Sequence, residues 1–351
     1  MIHLAIIGTG GMAHSHARSF QAIPGCQVVA CCDIVAGKAA QFAQKFNIPA
    51  AYENVDEMLD KEKLDAVSIV TTDRAHCQPS LKAIARGLHV MCEKPLADNL
   101  RNARRMAEAA RKKGILTAVN FSYRNAAASQ KAAQIARSGK LGRILHVEGS
   151  YLQSWLPSKV WGDWRTIPAL LWRLSTRHGS QGVLGDIGVH LYDLTYFVVG
   201  EFAELACELK TFPKGVRRIG PYVFDANDSM VTTVRFANGA LGTLHSTRWA
   251  SGHANTVSLR VWGEEGALDL NLDRPPESKL RACLGKKAVD AAAWKDVKCP
   301  SVPNMHQRFI TSIKTGKQGQ TSFEGGAVIQ SYLHASLVAA RKGGFVKAPR
   351  L

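Results

Sequence analysis

No apolar run in this chain of 351 residues reaches the roughly 18–20 residues that a helix needs to span a bilayer, which argues against a membrane protein. A secretory leader is missing too. Met1-Ile2-His3 leads straight into an apolar strand pattern, with no basic stretch or small-residue cleavage site, so the cytoplasm is the expected location. None of the eight cysteines forms a Cys-x-x-Cys pair, and several sit inside apolar runs, as in Val29-Ala30-Cys31-Cys32 and Val90-Met91-Cys92. Such cysteines read as small buried hydrophobes, which fits a reducing compartment better than a disulfide framework. No zinc spacing occurs; His14 and His16, two apart, diverge on a helix, and no metal is expected. Internal repeats and low-complexity linkers are also lacking. At roughly 100–200 residues per domain, the length suggests two domains, and 46% hydrophobic with 21% charged residues is an ordinary globular composition.

Acid is scarce. Lys and Arg number 45 against 28 Asp and Glu, a formal charge of +17. Such an excess attracts nucleic acid, anionic membranes or acidic substrates, yet the basic residues are spread along the chain. The densest group, Arg101, Arg104, Arg105, Arg111, Lys112 and Lys113, lies on one amphipathic helix pattern. A solvated helix face is the simpler reading of that group, an anion-binding surface the other. No nucleic-acid motif accompanies the charge, so no nucleic-acid partner is expected.

The first third alternates strands and helices. Residues 2–7 form an apolar run ending in Gly8-Thr9-Gly10-Gly11, and helical periodicity follows through Ala13, Ala17, Phe20 and Ile23 to Pro24-Gly25. Further strands read at 28–32, 66–70, 88–92 and 116–120, with helices at 37–46, 77–86 and 100–113 between them. Short connections of this kind give a parallel sheet covered on both faces, the doubly wound class. After about residue 123 the pattern changes. A helix at 126–138 precedes alternating runs at 144–152, 205–211, 230–236, 240–249 and 257–263, punctuated by Asn238-Gly239 and Glu265-Gly266. These predict a large, mostly antiparallel open sheet in an α+β domain. The expected division is 1–122 for a Rossmann domain and 123–351 for a substrate and oligomerisation domain, with a last helix near 325–341.

Gly8-x-Gly10-x-x-Ala13 lies between the first strand and first helix. Gly8 permits the tight turn, Gly10 lets backbone approach a pyrophosphate, and Ala13 allows close packing of helix on strand. Gly11 and Met12 open that helix, whose N–H groups and dipole favour phosphate. Asp33, ending the second strand, suits an adenosine ribose and repels a 2′-phosphate, which favours NAD; nearby Lys38 leaves NADP open. The alternative is a purely structural turn, with Asp33 capping a helix.

Glu93-Lys94-Pro95 ends a predicted parallel strand at the edge where open α/β sheets bind ligands. Proline turns Lys94 out of helical geometry, and a partly desolvated ammonium there can polarise an alcohol oxygen; taken alone, it is an ordinary turn. In Gly185-Asp186-Ile187-Gly188-Val189-His190, a helix would put Asp186 and His190 on one face. That pair reads either as a general base with its carboxylate or as a capping Asp with a satisfied core His. Asp193 on the same face caps or pairs.

Together these residues resemble the Gfo/Idh/MocA oxidoreductases across essentially the whole chain. The likeness rests on Gly8/Gly10/Ala13, Glu93-Lys94-Pro95, Gly185-Asp186 through His190-Leu191-Tyr192-Asp193, and Phe323-Glu324-Gly325-Gly326 before the last helix. It implies that Lys94, Asp186 and His190 form the catalytic set. His190 takes the hydroxyl proton while hydride leaves the same carbon for the nicotinamide, Lys94 holds the oxygen, and Asp186 binds substrate or orients its neighbour. It also places Thr71, His76, Glu93, Trp164 and Arg165 beside the cofactor and Tyr123 in the segment joining the domains, near substrate. Thr72 stands where the family usually has proline. Dimers or tetramers through the open sheet are implied as well.

Residues 151–182 are the most individual stretch, with Trp155, Trp161, Trp164 and Trp172 among Lys159, Arg165, Arg173, Arg177 and His178. The tryptophans, Trp155 among the substrate candidates, either pack on sugar faces or fill the core; an arginine here can hold a carboxylate or phosphate. The expected function is NAD-dependent oxidation of a secondary alcohol on a sugar, cyclitol or derivative. Two alternatives remain: a bound-NAD enzyme using transient oxidation for glycoside cleavage or epimerisation, and a non-catalytic NAD-binding regulator.

Overall fold

The computed structural model describes residues 1–179, 181–273 and 278–350. They form two compact units, Met1–Phe121 with Pro303–Gln330, and Ser122–Val302 with Ser331–Arg350.

In the first unit, six strands, β1 (Ile2–Ile7), β2 (Cys26–Cys32), β3 (Ala50–Tyr52), β4 (Ala66–Ile69), β5 (His89–Cys92) and β6 (Thr117–Val119), are all parallel in the order 3-2-1-4-5-6. This is the doubly wound Rossmann order. Leu4, Ile6, Val67, Ile69, Val90 and Met91 are buried because helices cover both faces, so the strands are continuous apolar runs rather than alternating ones. The basic helix Leu100–Lys113 shows how local signals fix an element. Asn99 caps it by accepting from the Asn102 N–H, Gly114 ends it at φ +68°, and Leu100, Ala103, Met106, Ala107 and Ala110 form the buried stripe. Its arginines and terminal lysines lie on the exposed face.

The sequence reading assigns everything after residue 122 to one domain, but the structure returns 303–330 to the first unit. Helix Met305–Thr315, capped by the Asn304/Gln307 box, sends Met305, Phe309 and Ile310 into the cluster built on Ile2, Phe20 and Phe42. The following segment covers the free edge of β6: Val119 N donates to Thr321 O at 2.7 Å, and Thr117 N to Gln318 Oε1 at 3.0 Å.

The second unit holds a nine-stranded sheet. Its strands in chain order are β7 (Ile144–Leu152), β8 (Phe202–Lys210), β11 (Ser229–Phe236), β12 (Leu241–Thr247), β13 (Thr256–Gly263), β14 (Gly266–Asn271), β15 (Lys279–Leu284), β16 (Lys295–Asp296) and β17 (Val346–Lys347); β9 (Arg218–Ile219) and β10 (Tyr222–Val223) form a separate ribbon. Neighbours are antiparallel except β7 and β12. β11 alternates as expected for a sheet with one covered face: Met230, Thr232, Val234 and Phe236 are buried, Val231 and Arg235 exposed. Helices Ala127–Arg137 and Val189–Val199 lie on that covered face. Among the described residues no helix is long and apolar enough to cross a membrane.

Candidate active site

The carboxyl ends of the parallel strands in the first unit gather the nucleotide-binding candidates. Gly8 adopts φ +92°, and a Cβ there would lie 2.7 Å from the Val70 carbonyl, so only glycine fits between β1 and β4. Gly10 and Gly11 are different. A Cβ on either would meet nothing within 4 Å, so open space lies over the start of helix Gly11–Gln21. No side chain caps that start, Met12 is exposed, and Ala13 is fully buried against the sheet. A bare helix N-terminus of 11 residues beneath open backbone fits the pyrophosphate of a dinucleotide.

Asp33 follows β2. Its Oδ2 accepts from Thr9 N (2.9 Å) and Thr9 Oγ1 (2.8 Å), and its Oδ1 from Val35 N (3.0 Å). Burial alone would raise its pKa; the hydrogen bonds from Val35 and Thr9, with the charge of Lys38, bring it below the usual carboxylate range. It does not cap helix Lys38–Phe46, whose N-cap is Gly37.

Two expected cofactor residues face inward. The buried ring of His76 lies between two carbonyls, with Nδ1 2.9 Å from Pro95 O and Nε2 3.1 Å from Thr71 O, and so ties the loop after β4 to the Glu-Lys-Pro turn. Thr72 in that loop has φ −74°, the angle proline would impose, so its backbone is as expected without the ring. Glu93 is buried as well. Its Oε1 accepts from His16 Nε2 at 2.8 Å and Asn120 Nδ2 at 2.6 Å, and its Oε2 from the Lys94 N–H at 3.1 Å. Burial would raise its pKa, but His16 and Asn120 pull it down to about 2. The other nitrogen of His16 lies 2.8 Å from Ser68 Oγ, and His306 packs edge-on against it at 4.5 Å. Burial, then the neighbouring His16, lower the His306 pKa to about 3. Lys94 itself is half-buried at the strand end.

In the second unit, Asp186 and His190 sit on a π-turn (Leu184–Gly188) running into helix Val189–Val199. Gly188 lets that turn lie on β11, where a Cβ would come 2.6 Å from Met230 Sδ. The Asp186 carboxylate is held by two guanidiniums: Arg248 Nη2 donates to Oδ2 at 2.9 Å, and Arg173 Nε lies 3.3 Å from the same oxygen. His190 packs edge-on against Tyr123 at 5.0 Å and lies 6.3 Å from Tyr151. Beside it the hydroxyls of Tyr123 and Tyr151 are 2.7 Å apart. Tyr151 donates to Asn255 Oδ1 (2.9 Å), and Asn255 Nδ2 donates to Tyr123 (2.8 Å), closing a polar ring. Asp193 pairs, as one of its two readings expects, with buried Arg124.

The tryptophans divide. Trp155 is fully buried, its Nε1 donating to Gln153 Oε1 at 3.0 Å, and Trp164 is 2% exposed, donating to Leu156 O at 3.1 Å. Both fill the core with Leu170, Leu174 and Phe224, so neither presents a face to substrate or cofactor here. Trp161 is exposed and stacks over Trp155; Arg165 is exposed and lies over Trp164. Sequence reasoning missed His16, Asn120, Tyr151, Asn255 and Arg248. No short-range pattern marks them, because their partners are distant in the chain.

Residues 2–121 match the oxidoreductase family described as an NAD-binding Rossmann fold, and residues 129–269 match a GFO/IDH/MocA C-terminal domain. The chain is 29% identical over 321 residues to levoglucosan dehydrogenase of Pseudarthrobacter phenanthrenivorans, covering 84% of this chain and 80% of that one. It is 30% identical over 266 residues to 1,5-anhydro-D-fructose reductase of Ensifer adhaerens, covering 75% and 74%. A structure of levoglucosan dehydrogenase with NADH and levoglucosan superposes with a TM-score of 0.89 at 25% identity, covering all of both chains. The chain therefore belongs to the Gfo/Idh/MocA family of oxidoreductases, with that family's NAD-binding Rossmann domain at its N-terminus.

Proposed function

We propose that the protein is an NAD-dependent dehydrogenase that oxidises a secondary alcohol of a sugar, cyclitol or sugar derivative. The observation that carries this reading is the bare helix N-terminus under Gly10 and Gly11, with the anionic Asp33 at the neighbouring strand end. NAD, when bound, accepts the hydride. The chain's own residues do the rest. Gly8, Gly10, Gly11 and Met12 present backbone to the pyrophosphate, Asp33 accepts from the ribose, and Thr71 lies by the cofactor. Glu93 and His76 act from behind, fixing the turn that carries Lys94.

His190 takes the proton of the substrate hydroxyl as the C–H bond of the same carbon breaks, and the oxygen's electron pair forms the carbonyl. Lys94 donates a hydrogen bond to that oxygen. Asp186, paired to arginines, sets the charge around His190, while Tyr123 buttresses the imidazole ring. In solution we expect a homodimer or homotetramer. The open face of the nine-stranded sheet, where Val231, Thr233, Thr243 and His245 project unburied, suits self-pairing, and light scattering reads the mass directly.

The test of function is NADH formation by the purified protein with NAD or NADP and a panel of sugars, cyclitols and sugar acids. Turnover with a member of the panel supports the reading. Silence across it, with NAD binding intact by titration, sinks the free-NAD dehydrogenase.

A further inference from the structure

The second unit gathers more positive charge around Asp186 than the reaction above needs. Asp186 already has a full counter-charge in Arg248, which is completely buried and also donates to Arg173 O at 3.0 Å. Arg173 then brings a second guanidinium to the same carboxylate oxygen, so one anion faces two cations. Arg173 is not sealed in. Its side chain remains 29% exposed, and its guanidinium lies over the Trp172 ring at 4.4 Å while also donating to Ala169 O. A flexible cation has thus been fixed in advance on a side chain that is still partly exposed, and an arginine in that condition loses little entropy on gripping a planar anion.

The surrounding chain has the same bias. Residues 151–182 carry Lys159, Arg165, Arg173 and Arg177 against the single carboxylate Asp163. Asp225, packed against this stretch, is engaged by Thr176 through N (2.7 Å) and Oγ1 (2.8 Å). The deeper pair of Lys214 and Asp228, 2.6 Å apart, cancels itself. The positive balance is therefore local to the region that holds Asp186 and not merely a share of the chain's overall charge.

We propose that the substrate is an anionic sugar, bearing a carboxylate or a phosphate, and that Arg173 holds this group beside Asp186. This rests on the dehydrogenase reading above and narrows its substrate class. Arg173 is the specificity-determining residue; Arg248 keeps Asp186 in place behind it.

The experiment compares matched substrates: D-glucose, D-glucuronate and D-glucose 6-phosphate, and the inositol and inositol monophosphate pair, each with NAD. A charge-assisted bond to one guanidinium predicts a kcat/KM for an anionic member about 10- to 100-fold above its neutral partner. Arg173→Gln should remove that ratio and Arg173→Lys should recover part of it. The anion's KM, but not the neutral sugar's, should rise with added salt. Which anion wins separates carboxylate from phosphate. Turnover of neutral sugars with no anionic advantage overturns the proposal and leaves the dehydrogenase reading standing. If nothing in the panel turns over, binding to the NADH complex, followed by ligand-observed NMR with glucuronate and glucose 6-phosphate, still decides. Anion binding that Arg173→Gln abolishes supports the site, and equal or absent binding overturns it. Should Arg173→Gln fold poorly, the lysine variant and the salt dependence of the unaltered protein decide the same question.

Discussion

Glu93 and Asp186 are both buried carboxylates next to a residue proposed to do chemistry, yet their surroundings differ. Glu93 is met by an imidazole, an amide and a backbone N–H, spread over both of its oxygens. Asp186 is met by two guanidiniums on one oxygen. In the first unit the donors match the acceptor on both oxygens, so the cluster locks the turn before Lys94. In the second the cations outnumber the anion, and one of them reaches solvent. A satisfied network specifies geometry, whereas an unbalanced one specifies a partner.

The largest effects should come from the residues these carboxylates flank. Lys94→Ala and His190→Ala are each expected to lower kcat by about 10²- to 10⁴-fold, the usual weight of a positioned acid or base. NAD affinity, titrated by protein fluorescence, should stay within a few-fold. Near-full activity in both variants would remove the proposed catalytic set and, with it, any reason to compare the two carboxylates as its supports.

Next come the carboxylates themselves. Asp186→Ala leaves the fully buried Arg248 facing Arg173 with no anion between, and breaking one side of a buried pair costs about 3–5 kcal/mol. Adding Arg248→Met in the same chain should return much of that loss, measured by urea unfolding. Glu93→Gln should cost less than Asp186→Ala. The amide still accepts from His16 and Asn120, but its NH₂ then opposes the Lys94 N–H. Equal losses at the two sites would erase the distinction between them.

Acid should strike the first unit through His306. Burial and His16 hold its folded pKa near 3, well below the ordinary 6.5, so the unfolded chain binds more protons between those values. Stability is therefore full above about pH 6.5 and falls as pH drops toward 3, on the order of 3 kcal/mol by pH 4. Glu93, with a folded pKa near 2, adds a loss beginning only below about pH 4.5. His306→Phe keeps the edge-on packing on Phe20 and His16 and should flatten the melting temperature between pH 6 and 4.5. A slope unchanged by that substitution would assign the acid sensitivity elsewhere.

The sequence carried the architecture well where one face or two faces of an element had to be buried. The strands of the parallel sheet were visible as unbroken apolar runs because both faces are covered, and β7, β11 and β13 as alternations because one face is not. The return of 303–330 was not legible. Met305, Phe309 and Ile310 announce an apolar helix face but not which sheet it covers. Of the candidate site, Gly8, Gly10 and Asp33 stood out as candidates because their placement depends on spacing along one strand–turn–helix unit. His16 and Glu93 are 77 residues apart and Asp186 and Arg248 are 62, so only the fold pairs them. Trp155 and Trp164 take the core reading of the two left open, because size and aromaticity suit a core as well as a sugar and the sequence alone does not choose between them.

The smallest expected effect concerns Asp33, the charge proposed to choose the cofactor. Asp33 is anionic, and its bonds to Thr9 and Val35 leave acceptor capacity on Oδ1 for a ribose hydroxyl. A 2′-phosphate brought there meets like charge, while Lys38 offers partial relief. Asp33→Asn retains an oxygen to accept from Thr9, so the turn at Gly8 survives, while its NH₂ opposes the Val35 N–H and the negative charge is lost. It should narrow the ratio of kcat/KM for NAD over NADP by about ten-fold, the scale of a single charge-assisted hydrogen bond. Asp33→Ser, which also drops the Thr9 contact, should weaken both cofactors while narrowing the ratio similarly. Steady-state rates with the two cofactors measure this, and a ratio unmoved in both variants would leave Asp33 as a brace for Thr9 and nothing more.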